Sequence, residues 1–335
     1  MHFPPADPSR RQWLARTAVA GAALGLGPLA RAQAGWPDKP VRFIVPFNAG
    51  GATDIVARVL GDKLSPRLGQ PVLIDNRGGA GGILGTDAVA KAAPDGYTFA
   101  LSLSTSLLIN QFLYTRLPYD PRRDLALVSQ IAVAPVTLAV HPSVPARNGA
   151  ELLAYVKANK GKVSYGSWGI GSYAHLGGAY MSLSQDADMA HVAYRGEALM
   201  LQDLIGGQIQ MAFASALGTK PHAESGKLRL IGVTGEQRMQ ILPDVPTLAE
   251  QGLKDDAYRI VGFVGMAAPA KTPPAIVQRM SREVAAVCQM PEVRDRLAGM
   301  GFSPAADTPE AFAAAYAKDA PAWEALVKQS GAKLD

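Results

Sequence analysis

Asn48-Ala49-Gly50-Gly51, followed closely by Thr53-Asp54, lies between two residue patterns that together suit the capture of an anion. Before it, Val41, Phe43, Ile44 and Val45 form a short run of strand-forming residues that Pro46 stops. After it, Val56, Leu60 and Leu64 recur every four residues with Ile55 and Val59 beside them, the stripe of a helix. Thr53 or Asp54 is the expected N-cap, since a short side-chain oxygen accepts from an unpaired N–H of the first turn. A strand, a glycine turn and a helix start bring free N–H groups and a positive dipole end to one spot, which suits a carboxylate. Farther along, Arg195 stands between a strand end and Gly196, where a guanidinium can meet an anion bidentately; a solvated loop charge is the other reading. Asp54 reads as a complement to the helix dipole and a partner of Arg58, four residues on, rather than as a ligand contact.

The patterns that would signal catalysis are missing. The sequence has no GxxxxGK[ST] phosphate loop, no GxSxG elbow and no HExxH. Gly79, Gly81 and Gly85 follow GxGxxxG spacing after the second strand, which fits a structural turn better than a nucleotide site. Ser172 and His175 share one short turn with no evident orienting acid, so a hydrolytic triad is not formed. His175 reads equally as a packed or capping residue and as a ligand donor, whereas His141 and His222, each beside a proline, read as surface residues. Cys288 is the single cysteine, which excludes an internal disulfide and a cysteine cluster for zinc. No cofactor or metal is expected.

These residues need a scaffold, and 335 residues at 48% hydrophobic and 18% charged can supply two cored domains. Pro71 to Asp75 reads as a second strand, the Asn76 to Gly82 loop leads to a helix around Leu84 to Lys91, and Tyr97 to Leu103 is a third strand. Val133 to Val140 is a further strand. The opening pattern then returns: Val163 to Tyr165, a glycine and serine turn from Gly166 to Ser172, and a helix from Tyr173. The strand from Met189 to Tyr194, the helix from Ala198 to Ile205, and strands at Gln208 to Ala214 and Leu228 to Val233 complete a second unit. Tyr258 to Pro269 is an extended apolar run that returns the chain to the first unit, and Thr272-Pro273 and Thr308-Pro309 open the last helices. The expectation is an α/β protein of two doubly wound domains, residues 35–140 with 262–335 and residues 141–261, joined by two crossover strands around a central cleft.

Residues 1–34 read as a leader. Ser9-Arg10-Arg11-Gln12-Trp13-Leu14 is a twin-arginine pattern, Thr17 to Leu29 is weakly apolar, and Ala32-Gln33-Ala34 is a cleavage site. An ordinary secretory signal is the alternative; either exports the chain, and cleavage is expected after about Ala34. The leader carries four arginines against one aspartate, so without it the formal charge falls from +5 to +2. The remainder shows no basic run with interleaved aromatics, which argues against nucleic acid.

A resemblance now adds to this reading. Pro40 to Arg58, Asn76 to Gly85, Pro94-Asp95-Gly96-Tyr97, Tyr119-Asp120-Pro121, Ser167 to Leu176, His191 to Gly196, Asp203 to Gln208, Leu242 to Glu250 and Thr308-Pro309-Glu310 occur in that order. Together they resemble the Bug-type substrate-binding proteins of tripartite tricarboxylate transporters, across essentially the whole mature chain. The resemblance implies a periplasmic two-domain receptor, not an enzyme, that closes on a small organic carboxylate and presents it to membrane permease subunits, as a monomer. It implies that Phe47, Asn48, Ala49, Gly50, Gly51 and Thr53 hold the proximal carboxylate. Ser104 and Ser106, then Ser167, Gly171, Ser172 and His175, then Arg195 and Gly196, match the distal loops. Relatives commonly carry lysine at Arg195 and an acid at Ser215; with serine there, a carboxylate lacking an amino group is expected to bind better than the matching amino acid. The alternatives are a sensor subunit of the same fold, which an adjacent sensor kinase gene would favour, and a hydrolase, which turnover of a carboxylate ester would favour.

Replacing Arg10 and Arg11 together by lysine is expected to leave uncleaved precursor in the cytoplasm, because the pair is a receptor-read address. Cell fractionation and immunoblotting measure this; normal maturation of the double variant assigns export to the general route.

Overall fold

The computed structural model describes His2 and residues 35–334, so the leader, its Arg10-Arg11 pair and the Ala34 cleavage site lie outside the described residues. From Lys39 the chain runs β1 (Val41–Val45), α1 (Ala52–Leu68), β2 (Val72–Asn76), α2 (Ile83–Ala90), β3 (Thr98–Leu103), β4 (Leu125–Ala134) and β5 (Thr137–Val140). Next come α3 (Gly149–Ala158), β6 (Ser164–Ser167), α4 (Tyr173–Ser184), β7 (Ala190–Ala193), α5 (Glu197–Ile205), β8 (Met211–Ala214), α6 (Ala216–Glu224) and β9 (Arg229–Val233). β10 (Gly262–Pro269), α7 (Pro274–Cys288), α8 (Pro291–Gly299), β11 (Ser303–Pro304) and α9 (Pro309–Ser330) complete it.

Two mixed sheets result, ordered β11-β4-β10-β3-β1-β2 and β7-β6-β8-β5-β9. β1 pairs parallel with β2 and β3, and β6 pairs parallel with β7 and β8. The strands that cross between sheets are antiparallel to these sets: β10 lies against β3 and β4, and β5 against β8 and β9. The run Val133 to Val140, read as one strand, is two. β4 stops at Ala134, and Pro135, with no N–H to donate, breaks the ladder before β5 joins the other sheet.

Helices follow the apolar spacing that foretold them. In α7, Val277, Met280, Val284 and Val287 are buried, and Cys288 beside them is buried and free. The Thr308 side chain caps α9 by accepting from the Ala311 N–H. Helix α9 fills the space between the sheets. Fully buried Trp323 meets the Tyr173 ring of α4 edge-on at 5.9 Å, and Phe312 meets Phe263 of β10 at 5.2 Å. A single apolar core therefore contains residues of both sheets.

The two crossings are tied to each other. The Val136 N–H donates to Thr234 Oγ1 at 2.9 Å, and the Thr234 N–H returns a bond to the Val136 carbonyl at 2.9 Å. Thr234 is fully buried. Thr234→Val keeps the shape but strands the Val136 N–H, so a loss of about 1–3 kcal/mol is expected in urea denaturation; an unchanged midpoint would show that water replaces the hydroxyl.

Candidate functional site

In open α/β sheets ligands bind outside the carboxyl ends of the parallel strands. In the first sheet those ends are the loops after β1, β2 and β3. The loop after β1, residues 48–51, is exposed, with Phe47 half-buried at its base. Helix α1 begins two to three residues earlier than expected: Gly51, in extended conformation and with no side-chain bond, is the N-cap, and Thr53 and Asp54 lie inside the first turn. Asp54 serves the loop instead. Its carboxylate accepts the Gly50 N–H at 2.8 Å and Arg58 Nε at 3.0 Å, an acid at the third helical position reaching back as in a capping box. Arg58 continues to Asn76 Oδ1 at 3.3 Å, and Asn76 Nδ2 donates to the Phe47 carbonyl at 3.2 Å. Burial alone would raise the Asp54 pKa, but Arg58, the Gly50 N–H and Asn76 together hold it below the usual carboxylate range. Asp54 is thus a charged brace, and the first-turn N–H groups of α1, which have no intrahelical acceptor, remain for an anion.

The glycine loop after β2 packs beneath this one. A Cβ at Gly82, whose φ is +87°, would lie 3.0 Å from Ser106 Cβ and 3.2 Å from Phe47 Cζ, and one at Gly85 would lie 2.8 Å from Pro46 Cα. Close approach, not nucleotide binding, explains the glycine spacing. The loop after β3 divides its serines. Ser104 is buried with its hydroxyl over Gly262, whereas Ser106 is sealed inside, bonded to Ser102 Oγ at 2.6 Å and to Thr86 Oγ1 at 2.9 Å. Ser106 therefore positions the loop and does not face a ligand.

In the second sheet, the side chains of Ser167, Ser172 and His175 also turn inward, onto the loop that joins β6 to α4. Ser172 caps α4 and donates to the Gly169 carbonyl at 2.6 Å; Ser167, fully buried, donates to the same carbonyl at 3.2 Å. His175 Nδ1 accepts the Gly171 N–H at 3.1 Å, which requires a neutral ring protonated on Nε2. Gly171 itself, at φ +79°, lies against Leu113 of the first sheet's side, where a Cβ would come within 2.1 Å of Leu113 Cδ2. The loop after β6 thus meets the helical segment that follows β3. Ile170 stays outside, 49% exposed, whereas Trp168 is half-buried and packs against the core.

His191 and Glu197 were not among the expected site residues. His191 stacks between Tyr165 and His175, at 5.0 and 4.1 Å, and shares a 2.7 Å hydrogen bond with Ser167 Oγ. Burial, with His191 adding to it, pushes His175 down to about 4, and burial lowers His191 as well. Neither histidine then brings charge to an anion near neutral pH. Arg195 is exposed, follows β7 and makes no ion pair among the described residues, and Gly196 beside it has φ +116° with open space around it. Ser215, at the end of β8, is engaged: it caps α6 through the Gly218 N–H at 3.0 Å, and its N–H and hydroxyl both donate to Glu197. A carboxylate does stand at this strand end, supplied from eighteen residues upstream because β7 and β8 flank β6. A cavity of about 530 Å³ opens elsewhere, beside the crossings, lined by Val133, Thr234, Glu236, Arg259, Lys318 and Asp319, and holds none of the expected ligand residues.

The tripartite tricarboxylate transporter family receptor profile matches residues 56–332. The protein BugT of Bordetella pertussis is 34% identical over 300 residues, covering 89% of this chain and 91% of BugT. A Rhodopseudomonas palustris protein solved with adipate is 32% identical with a TM-score of 0.80, over 89% of this chain and 100% of that one. MatC of the same organism, solved with bound malate, is 29% identical with a TM-score of 0.76, over 87% and 100%.

The low pKa of His175 has a consequence for stability. Between about pH 6.5 and about pH 4 the unfolded chain takes up a proton that the folded ring refuses, so stability falls as pH is lowered through that window. Melting temperatures across it should fall less steeply for His175→Gln than for the parent; equal slopes would place the acid sensitivity elsewhere.

Proposed function

The chain belongs to the tripartite tricarboxylate transporter receptor family, and on that premise we propose that it is an extracytoplasmic receptor that captures a small organic carboxylate between its two sheets. It is a binding protein and not an enzyme. The observation that carries the reading is the meeting of the loop after β6 with the segment after β3, at Gly171 and Leu113, together with exposed loop backbone at residues 48–51 after β1 and an exposed Arg195 after β7 that makes no ion pair among the described residues. Backbone N–H groups of the loop after β1 hold one carboxylate, aided by the dipole of α1. Ser104 and the backbone of residues 169–171 line the space between, and Arg195 meets a second carboxylate or another polar acceptor. Relatives solved with adipate and malate support the ligand class.

The two sheets are the cores of two lobes, residues 39–134 with 262–334 and residues 137–233, that hinge at Pro135-Val136 and beyond Thr234. The loaded receptor, a monomer in the periplasm, delivers its ligand to membrane permease subunits. No helix among the described residues is long and apolar enough to cross a membrane.

A thermal-shift screen of organic acids on the purified mature protein tests the reading, since a ligand that binds only the folded state raises the melting temperature. Truncating one partner of a desolvated charge pair costs roughly 2–5 kcal/mol, so Arg195→Ala should weaken the best acid at least about tenfold in calorimetry. Unchanged affinity would put Arg195 on the solvent side.

A further inference from the structure

The binding scheme above leaves the carboxylate of Glu197 unused. Glu197 opens α5, two residues after Arg195. One of its oxygens accepts the Ser215 N–H and the other accepts Ser215 Oγ at 2.9 Å. This completes, from a neighbouring helix, the capping box of α6. The usual acid at the third helical position is replaced by Gly218, whose missing side chain leaves room: a Cβ there would lie 3.5 Å from Glu197 Cδ.

The carboxylate is short of donors. An ionised carboxylate offers about four acceptor positions, and Ser215 fills two. Glu197 makes no ion pair among the described residues and is half-buried, and burial raises its pKa against the pull of the two Ser215 donors. The carboxyl ends of β7 and β8 therefore present a guanidinium that only donates and a carboxylate that only accepts, separated by Gly196. The complement is a ligand carrying a carboxylate and, near it, a hydrogen-bond donor.

We infer that Glu197, held in place by Ser215, is a specificity-determining residue of the cleft, accepting a hydrogen bond from a hydroxyl or ammonium group of the acid whose carboxylate Arg195 holds. The inference rests on the carboxylate-receptor reading, and it reverses the ligand preference that Ser215 alone suggests. Unsubstituted diacids leave the free lone pairs of Glu197 desolvated and unmatched; 2-hydroxy and 2-amino diacids fill them.

Calorimetry on the mature protein with succinate, malate and aspartate, and with the corresponding five- and six-carbon series, tests it. At the chain length that binds best, the hydroxy or amino acid should bind about tenfold tighter than the unsubstituted diacid, the usual worth of a hydrogen bond to a charged group. Glu197→Gln keeps an acceptor for the Ser215 N–H and so preserves the loop, yet should erase most of the preference for the amino acid. Ser215→Ala, which frees one Glu197 oxygen, should keep or increase the preference. If Glu197 only caps α6, both variants lower the melting temperature and leave the ligand ranking untouched, which overturns the inference. A wild-type ranking led by the unsubstituted diacid overturns it too. Failure of every acid in the three series to bind overturns the carboxylate-receptor reading and this inference with it.

Discussion

Parallel pairing on both sides of β1 and on both sides of β6 is the constraint on which the rest of the molecule depends. Parallel strands must return by a crossover, so β1, β2 and β3 all end at one edge, as do β6, β7 and β8 at another. Every loop that could touch a ligand is thereby gathered at those two edges. The antiparallel strands β5 and β10 are the ones that carry the chain between sheets, which lets the edges face each other without lengthening any ligand loop.

Most of the polar side chains at these edges are spent on the loops themselves. Asp54 holds the Gly50 N–H, Ser172 and Ser167 both hold the Gly169 carbonyl, and His175 holds the Gly171 N–H. In the proposed site, that leaves loop backbone, Ser104, Arg195 and Glu197 for a ligand. A helix N-terminus contributes only about 0.3–1 kcal/mol to an exposed anion and about 2 kcal/mol to a partly buried one, while micromolar binding needs about 8 kcal/mol. One edge alone is therefore too weak, and tight capture requires both edges to close on the same molecule and exclude water. Rigid loops matter in such a scheme, because every donor that must be ordered on binding subtracts from the small gain it offers.

The α/β alternation, the return of the chain near residue 262, and the glycine turn that joins β1 to a helix start were legible in the sequence because each rests on local chemistry. Apolar spacing, a proline stop and a glycine turn act within a few residues. The placement of Ser106 was not legible: a serine after a strand reads as a loop hydroxyl, and only the meeting of β3 with α2 buries it against Thr86. Val133 to Val140 reads as one strand because its composition is uniform apart from Pro135, whose missing N–H becomes decisive only once the partners of β4 and β5 are known to belong to different sheets. Glu197 shows the same limit most sharply. As a lone acid after a glycine it carries no signal, and its pairing with Ser215 is created by the order β7-β6-β8, which no local pattern encodes.

The double hydrogen bond between Val136 and Thr234 bears on how such a molecule can move. It continues the β5–β9 ladder of the second sheet by one pair beyond Thr137 and Val233, so it travels with that sheet, and a rotation of one sheet against the other can preserve it while the residues beyond it absorb the change in φ and ψ. Gly235, at φ +93°, and Pro135 stand immediately beside the tie, one permissive and one restrictive. The core is less accommodating. Trp323 of α9 packs against Tyr173 at the start of α4, and the Tyr173 hydroxyl donates to the Ala257 carbonyl at 2.5 Å, so closure must either slide this contact or pivot on it. Pivoting costs less, because packed aromatic contacts resist shear that opens a void, and the pivot lies at the N-terminus of the helix whose first turn carries Ser172 and His175. In the proposed closure, rotation at the crossings carries Arg195 and the outer second-sheet loops toward residues 48–51, while Ser172 and His175, beside the Tyr173 pivot, move least and the core around Trp323 is little displaced.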